Sequence, residues 1–469
     1  MTHPLRERVR HPIVDADGHT VEFLPLVRDF LRELGGESLA IGLDRLAGSA
    51  SLTRSLDPAT RRSLGIARTG WWGLAAANTL DRATAMLPRL LYERLDEIGV
   101  DLSVLYPTYG LTVMAVDDGD LRRGLARAFN RFYAEVFAGC GDRLVPVAVV
   151  PTFTPEEAIE ELDYAVLDLG LRAVLMGGLV LRTAPGHDGD RAARWVDGLG
   201  LDSEHDYSPL WQRCVELGVS PTFHSTGIGF GSRMSPTNYV ANHIGNFAAG
   251  SEAICRSLIF GGVPRRFPGL RFAFHEGGIA WACGLYADIV GHWQKRNRDE
   301  IRRYDPARLD VDALRRLFAE YGGPEIVDRL DRLEPALQFL SDPNEDPSTL
   351  DEFADSLIED PDDVRDMFTR QFFFGCEADD PLIGLAFDTR LNRGSARLRP
   401  VLGSDIGHWD VPDVANVLDE AAELLDDGIL TEDQFRALAF DNPVALWGGT
   451  NPKFFDGTVV EQEARAALS

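Results

Sequence analysis

Short apolar runs alternate with helix-length amphipathic segments along most of the sequence, and this alternation constrains the fold more than any other feature. The runs are rich in Val, Ile, Leu and Phe without regular polar alternation, which is typical of parallel strands covered on both faces. Repeated strand and helix units predict an α/β fold, and eight such units favour a closed (β/α)₈ TIM barrel over an open sheet. The candidate strands cover residues 13–17, 102–106, 144–149, 173–176, 220–224, 271–275, 372–374 and 400–403.

Two segments interrupt this rhythm. The chain of 469 residues is longer than one hydrophobic core usually supports, but a TIM barrel with insertions reaches this length. We therefore predict one barrel domain over residues 1–469, with helical insertions at about 23–94 and 297–367. In the second insertion, residues 341–366 contain eleven acidic side chains against one Arg, which predicts a solvated surface. The candidate helices between strands cover residues 121–138, 155–169, 209–217, 241–260, 279–295 and 413–425.

The charge and the cysteines limit the partners and the compartment. A formal net charge of −27 disfavours nucleic acid and anionic membrane surfaces, so we expect a small-molecule substrate instead. Five cysteines are widely spread without CxxC or Cys-His zinc spacing, which fits reduced thiols. The N-terminus lacks the apolar region of a signal peptide, and no run approaches the ~20 apolar residues that span a bilayer. These features predict a cytoplasmic protein.

The first candidate site follows the first predicted strand, in the run VDADGHTVE. Asp17 and His19 are two residues apart, so on an extended strand their side chains point the same way. A carboxylate beside an imidazole forms a good pair of metal ligands. Glu22, three residues further on, is a candidate to ligate or to orient them. By itself, an Asp-x-His pair is also compatible with an ordinary surface pair.

Polar residues also end three later strands. His224 follows the fifth predicted strand, and His275 and Glu276 follow the sixth before a pair of glycines. Asp405 follows the last strand, with His408 in the same loop. Each of these also has a plain structural interpretation, as a capping histidine or a turn residue. In a barrel, however, the carboxyl ends of all strands surround one mouth, so these distant residues are expected to converge.

The joint order of these residues resembles the amidohydrolase superfamily. The motifs FHEGGIAW, GSDIGHWD and DNPVALWG carry the resemblance, together with SVLYPTYG after the second predicted strand. The chain looks most like the amidohydrolase-related branch that includes aminocarboxymuconate-semialdehyde decarboxylase and the resorcylate-type decarboxylases. The resemblance covers roughly residues 12–448 outside the two insertions.

The resemblance implies one divalent metal ion held by Asp17, His19, His224 and Asp405. It also implies that Asp405 moves a proton and that His275 contacts a substrate oxygen. Asp17 stands where many members of the superfamily have a histidine, although some members of this branch have an acidic residue there. The lysine that bridges two metals elsewhere in the superfamily is missing, because the fourth strand reads AVLMGG. Two carboxylates and two imidazoles suit Zn²⁺ or Mn²⁺.

Three functions stay open at this point. The resemblance favours a metal-dependent decarboxylase of a carboxylated aromatic or related small molecule. The same residues also suit a hydrolase of an amide, lactone or ester. The third hypothesis is a catalytically inactive barrel that serves as a binding protein. Arg182 and Arg233 lie in predicted loops and are candidates to anchor a substrate carboxylate, while Glu276 and His408 are candidate substrate or supporting residues. The resemblance also allows a homodimer.

Overall fold

In the part of the chain described by the computed structural model, eight parallel strands form one sheet. The described residues are 3–70, 77–187, 193–228, 230–337, 345–346 and 348–469. The sheet has the order β1–β2–β3–β4–β7–β8–β9–β10, and β5 and β6 form a separate antiparallel hairpin. The strands are β1 (Val14–Thr20), β2 (Leu102–Pro107), β3 (Leu144–Val150), β4 (Ala173–Met176), β5 (Val180–Thr183), β6 (Arg194–Asp197), β7 (Pro221–Phe223), β8 (Phe272–Phe274), β9 (Phe372–Glu377) and β10 (Pro400–Gly403).

Hydrogen bonds between the two edge strands bring the barrel to closure. The amide of Asp405 donates to the carbonyl of Asp17 at 2.9 Å, and the amide of His19 donates to the carbonyl of Ile406 at 3.0 Å. The barrel is therefore joined by the backbone of residues that the sequence analysis had assigned to the active site. The (β/α)₈ barrel prediction is confirmed, and each of the eight candidate strands corresponds to a strand of the sheet.

Helices surround the sheet and make up most of the two insertions. The longer ones are Leu24–Ser55, Thr79–Met86, Pro88–Ile98, Gly119–Val136, Pro155–Asp163, Ser208–Leu217, Asn246–Phe260, Ala280–Arg296, Val311–Tyr321, Val417–Asp426 and Glu461–Leu468. The shorter ones are Leu5–Arg8, Pro58–Leu64, Tyr239–His243, Val263–Arg266, Pro324–Val327, Leu333–Leu337, Pro361–Asp366, Gly384–Phe387, Glu432–Arg436 and Asn442–Gly448. Part of the predicted acidic surface, residues 341–344 and 347, lies outside the described residues.

Two predictions of secondary structure need correction. The helix predicted over 241–260 is two helices, Tyr239–His243 and Asn246–Phe260, because Gly245 adopts a left-handed backbone with φ of 66°. The hairpin of β5 and β6 was not predicted. Its strands alternate buried and exposed positions only briefly, and the sequence between them reads as a polar loop.

Alternate residues of the barrel strands form an inner core. Val14, Val104, Val147 and Leu175 belong to one apolar cluster with Trp447 of the C-terminal segment, and all are at most 1% exposed. The C-terminal segment also meets the start of β7, where the Ser220 hydroxyl donates to the carbonyl of Leu446. The amino ends of the strands are thus plugged with apolar side chains, which leaves the carboxyl ends for the polar site.

The first strand carries a β-bulge at the residues that matter most for the site. Its pairing with β2 runs from Asp15–Ser103 to Gly18–Leu105, so β1 has one extra residue across this interval. A Cβ atom on Gly18 would lie 2.5 Å from Oδ2 of Asp15 and 2.8 Å from Oγ of Ser103. Glycine is therefore required at this position by a close approach of side chains.

Replacing Gly18 with alanine is expected to lower the free energy of unfolding by about 1–3 kcal/mol, because the added methyl group must displace a buried carboxylate. Urea-induced unfolding of metal-free protein would measure the change. Gly48→Ala is the matched control, since in helix Leu24–Ser55 no atom of the described residues lies within 4 Å of its added Cβ. The control should be neutral or up to ~1 kcal/mol more stable. Equal stability of the two variants would contradict the packing argument.

Candidate metal centre

Acidic and imidazole side chains from four barrel strands meet at the carboxyl ends of those strands. Asp17 and His19 lie on β1, His224 and His275 directly follow β7 and β8, and Asp405 follows β10. Each of these residues is at most 8% exposed. The barrel topology gathers them because parallel strands present all their carboxyl ends at one mouth.

The distances within this cluster are those of groups around a shared centre. Nε2 of His19 lies 3.7 Å from Oδ1 of Asp17 and 3.2 Å from Oδ1 of Asp405. Nδ1 of His275 lies 3.2 Å from Oδ2 of Asp17. Asp17, His19 and His224 each offer one ligand atom, and these atoms all lie within 4.8 Å of one another.

A second group of ligand atoms shares His19 with the first. His19, Glu276, Asp405 and His408 also offer atoms that lie within 4.8 Å of one another. Nδ1 of His408 is 2.7 Å from Oδ1 of Asp405, and the rings of His408 and His19 have centroids 3.8 Å apart. Glu276 connects the groups, since its Oε2 is 2.7 Å from Nε2 of His224. The structure therefore brings together every predicted ligand and both predicted catalytic residues.

Several ligand atoms are buried without a partner in hydrogen-bonding geometry among the described residues. These atoms are Oδ1 of Asp17, Nε2 of His19, Nδ1 of His224, Nδ1 of His275 and Oδ2 of Asp405. Buried polar atoms are nearly always hydrogen-bonded in folded proteins, because an unmet group carries a desolvation penalty of about 1–3 kcal/mol. A divalent cation would satisfy both the carboxylates and the imidazoles, so the donor set fits a metal ion.

Hydrogen bonds outside the cluster orient two of the imidazoles. His19 Nδ1 lies 3.2 Å from the carbonyl of Pro107, which leaves Nε2 as the free acceptor atom. The hydroxyl of Thr222 donates to the carbonyl of Val174, and the hydroxyl of Tyr106 donates to Oγ1 of Thr222. Because the tyrosine hydroxyl already donates to Thr222, its oxygen accepts a hydrogen bond from Nε2 of His275, which lies 2.8 Å away. The other ring nitrogen, Nδ1, then carries no proton and faces Asp17.

The charges of the cluster follow from burial and from neighbouring groups. Burial lowers the pKa of His19 well below its ordinary value, so this imidazole is neutral and able to bind a cation. Burial raises the pKa of Asp405 well above its usual range, although His408 acts in the opposite sense. For His408, the attraction of Asp405 and Glu276 outweighs burial and raises the pKa well above 6.5. At Glu276, burial acts to raise the pKa, but the imidazoles of His224 and His408 outweigh it, so the pKa is lowered.

The backbone is strained at two of these acids. Glu276 has φ of 58° and Asp405 has φ of 49°, which is the left-handed region that residues other than glycine rarely adopt. Such conformations carry an energy of order 1–3 kcal/mol and concentrate at functional sites, where surrounding contacts hold them in place. Both strained residues belong to the second group of ligand atoms.

Asp15 is a buried carboxylate that the sequence analysis missed. It accepts hydrogen bonds from the hydroxyls of Ser103 and Ser404 at 2.6 and 2.7 Å, and from the amides of Ser404 and Asp17. These bonds join β1, β2 and the segment after β10 immediately beneath the proposed ligands. Burial raises the pKa of Asp15 to about 6 despite the hydrogen bonds. The DAD pattern in the first strand was the only signal for it.

Asp15 should make the stability of the metal-free protein depend on pH. Its pKa is about 6 when folded against 3.8 for the ordinary carboxyl, so the folded state holds this proton more tightly. The protonated carboxyl contributes about 3 kcal/mol to the free energy of unfolding. This contribution is fully present below pH 4 and is lost as the pH rises through 6. Asp15→Asn removes this titration while the serine hydroxyls can turn to accept from the amide. The difference in unfolding free energy between the variant and the wild type should therefore change between pH 4 and 7, and a constant difference would refute the assignment.

Two predicted supporting residues have partners outside the cluster. Glu22 accepts from the amides of Tyr109 and Gly110 and from the hydroxyl of Tyr133, so it anchors the loop after β2 and is in neither ligand group. Arg233 donates to the carbonyls of Ile244 and Gly245. Both residues therefore stabilise loops near the site, and a role of Arg233 toward a substrate stays a prediction.

Arg182 is held by structural contacts. Its guanidinium is 7% exposed and binds Asp197 at 3.0 Å, the carbonyl of Phe153 and the hydroxyl of Tyr207. These partners hold the hairpin of β5 and β6 against the barrel, and a role of Arg182 toward a substrate carboxylate stays a prediction. Sequence spacing gave no indication of this buried ion pair.

A cavity of about 370 Å³ lies beside the centre. Glu276 lines it, together with residues of the loops after β7, β9 and β10. Its size suits a small organic molecule. Within the described residues, no helix is long and apolar enough to cross a membrane.

The sequence pattern of the amidohydrolase family matches residues 92–449. A 2-amino-3-carboxymuconate-6-semialdehyde decarboxylase from Dictyostelium discoideum is 28% identical over 258 residues, which cover 54% of this chain and 62% of that protein. The chain thus matches less than two thirds of this relative's length.

Solved structures of similar chains were also found. An amidohydrolase from Mycobacterium avium subsp. paratuberculosis K-10 has a TM-score of 0.48 at 20% identity, covering 79% of this chain and 77% of its own. A 2,6-dihydroxybenzoate decarboxylase from Rhizobium has a TM-score of 0.48 at 16% identity, covering 93% and 98%.

Proposed function

Because this chain belongs to the amidohydrolase family, we propose that it is a metal-dependent decarboxylase of a carboxylated aromatic or related small molecule. The family predicted from the sequence is confirmed by this match. The observation that carries the proposal is the convergence of buried ligand atoms without partners at the mouth of the barrel. Asp17, His19, His224 and Asp405 are the proposed ligands of one divalent cation, with Zn²⁺ and Mn²⁺ both suited to this donor set.

When bound, the ion supplies a fixed positive charge that can hold a substrate carboxylate or neighbouring oxygen and stabilise negative charge as it develops. The residues of the chain supply the proton chemistry. In decarboxylation, the bond between the ring carbon and the carboxylate breaks, its electron pair stays on the carbon, and CO₂ leaves. A proton must then reach that carbon.

Asp405 is the proposed donor of this proton. Its Oδ2 is buried and has no hydrogen-bond partner among the described residues, so this oxygen is available to carry a proton toward the substrate. His408, 2.7 Å from Oδ1 of Asp405, is placed to return a proton after each turnover. The free Nδ1 of His275 can accept a hydrogen bond from a substrate hydroxyl, because Tyr106 holds the opposite nitrogen as the donor.

The relative from Dictyostelium discoideum supports decarboxylation, and hydrolysis is the competing chemistry. The deciding experiment uses the protein loaded with Zn²⁺ or Mn²⁺ and a panel of hydroxybenzoates labelled with ¹³C in the carboxyl group. Release of ¹³CO₂ that depends on the metal is the expected result. Opening of lactones or cleavage of amides with no CO₂ release would favour a hydrolase.

The remaining alternative is a barrel without catalysis, and metal analysis separates it. A functional centre should hold about one ion per chain after dialysis, as expected for a buried four-ligand site. A protein that purifies without metal and cannot be loaded would support a binding role and contradict the proposal.

A further inference from the structure

The cavity beside the metal centre has a strongly acidic lining. Of the described residues, Glu276, Glu377, Asp380 and Asp410 line it, whereas no Lys or Arg does. Among these four acids, His224 and His408 pair with Glu276 only, and carboxylates that share a partly desolvated space repel one another. Burial and the neighbouring acids, Asp410 and Glu276 first among them, raise the pKa of Glu377 to about 8. A cation in the cavity would relieve this repulsion.

A buried carboxylate and a buried oxygen atom without a partner border the cavity. The side chain of Glu276 is 4% exposed, and its Oε2 lies 2.7 Å from Nε2 of His224, which holds this carboxylate at the edge of the cavity. Oδ1 of Asp410 is also buried and has no hydrogen-bond partner in the described part of the chain. A positively charged donor would complete the hydrogen bonding of Asp410.

The size and the aromatic walls of the cavity favour an organic cation over a second metal ion. A volume of about 370 Å³ is far larger than one ion needs. Phe247 and Trp409 line the cavity, and the ring of His243 lies between them, with centroids 5.7 and 5.6 Å away. Aromatic faces attract ammonium groups, and the attraction increases when water is excluded.

We propose that this cavity binds the ammonium group of the substrate, which is therefore a zwitterion with its carboxylate at the metal centre. This inference rests on the proposed function for the carboxylate end only. The acidic lining would repel an aromatic acid whose remaining substituents are anionic. Selection of a cationic substituent thus explains why a chain that acts on carboxylates places four further carboxylates next to its metal site.

Binding of simple probes tests the cavity without requiring turnover. Metal-loaded full-length protein would be titrated calorimetrically with benzylamine, with benzyl alcohol as its neutral match, and with benzoate. We expect benzylamine to bind at least about tenfold more tightly than benzyl alcohol, in line with one desolvated cation contact. Glu377→Lys should abolish this preference, and Asp410→Asn should weaken it. Asp427→Asn, which alters an exposed acid at the end of helix Val417–Asp426, is the control and should leave it unchanged.

A second measurement separates this inference from the proposed function. The kcat/KM for ¹³CO₂ release would be compared between 4-(aminomethyl)salicylate and 4-methylsalicylate, and the amine should be preferred by about tenfold. Equal binding of benzylamine and benzyl alcohol would overturn the cavity assignment even if CO₂ is released. Tight benzylamine binding without CO₂ from any acid would overturn the decarboxylase instead. Two metal ions per chain, with benzylamine displaced by added metal, would show that the cavity is a cation site of another kind and would refute the proposal.

Discussion

Asp405→Asn is expected to lower the rate of CO₂ release by about 10²–10⁴-fold while leaving the metal bound, because general acid catalysis contributes on this scale. Asparagine keeps a carbonyl oxygen at the position of the ligand but cannot carry the transferable proton. The position of His408 supports the proton role of Asp405 as well, since its Nδ1 lies 2.7 Å from Oδ1 of Asp405. Metal content and kcat should therefore change independently in this variant.

The measurement requires a steady-state assay of ¹³CO₂ together with metal analysis of the same protein. Asp427→Asn is the control for a lost carboxylate, because Asp427 is exposed. His408→Gln should reduce kcat less than Asp405→Asn, because solvent can still return the proton. A kcat within threefold of the wild type for Asp405→Asn would exclude this residue as the proton donor.

His19→Ala is expected to remove the metal and, with it, all metal-dependent turnover. His19 belongs to both groups of ligand atoms, and its Nε2 faces Asp17 and Asp405 at 3.7 and 3.2 Å. Alanine leaves two buried carboxylates without the imidazole that lies between them, so affinity for the ion should fall by at least about a hundredfold. Metal content after dialysis should drop from about one ion per chain to less than about a tenth.

His292→Ala provides the comparison for loss of a histidine. Its ring is exposed and interacts with the carbonyl of Asp288, one turn earlier in helix Ala280–Arg296. That variant should retain both the ion and the activity. If His19→Ala also kept a full complement of metal, the proposed centre would be wrong, because no other residue is common to both ligand groups.

The barrel and the main side chains of the centre could be predicted from the sequence because both depend on local patterns. Apolar runs such as 144–149 mark buried strands wherever they occur, and polar residues such as Asp17 and Asp405 directly follow or end these runs. Once eight strand and helix units are recognised, the topology itself brings the strand ends together. The motifs around His275 and Asp405 added the family resemblance.

Other features were out of reach because they depend on contacts between distant segments. Nothing near Tyr106 in the sequence indicates that its hydroxyl fixes the orientation of His275, 169 residues away. The partners of Glu22 could not be predicted for the same reason, since Tyr109 and Tyr133 come from other elements. Arg182 is a further case, because a buried ion pair and a free loop arginine look alike in sequence.

The sequence by itself determined the eight strands, the end of the barrel at which the candidate site lies and the residue types that converge there, because strand burial and strand ends are encoded locally. Only the tertiary structure decided the tautomers of His19 and His275, the hydrogen bonds that Asp15 accepts from other strands, and the acidic lining of the adjacent cavity. Those properties arise from atoms of loops and strands far apart in the chain, whose hydration and distances exist only after folding. The charge of the cavity is the clearest example, since Glu276, Glu377 and Asp410 become neighbours only when β8, β9 and β10 lie side by side.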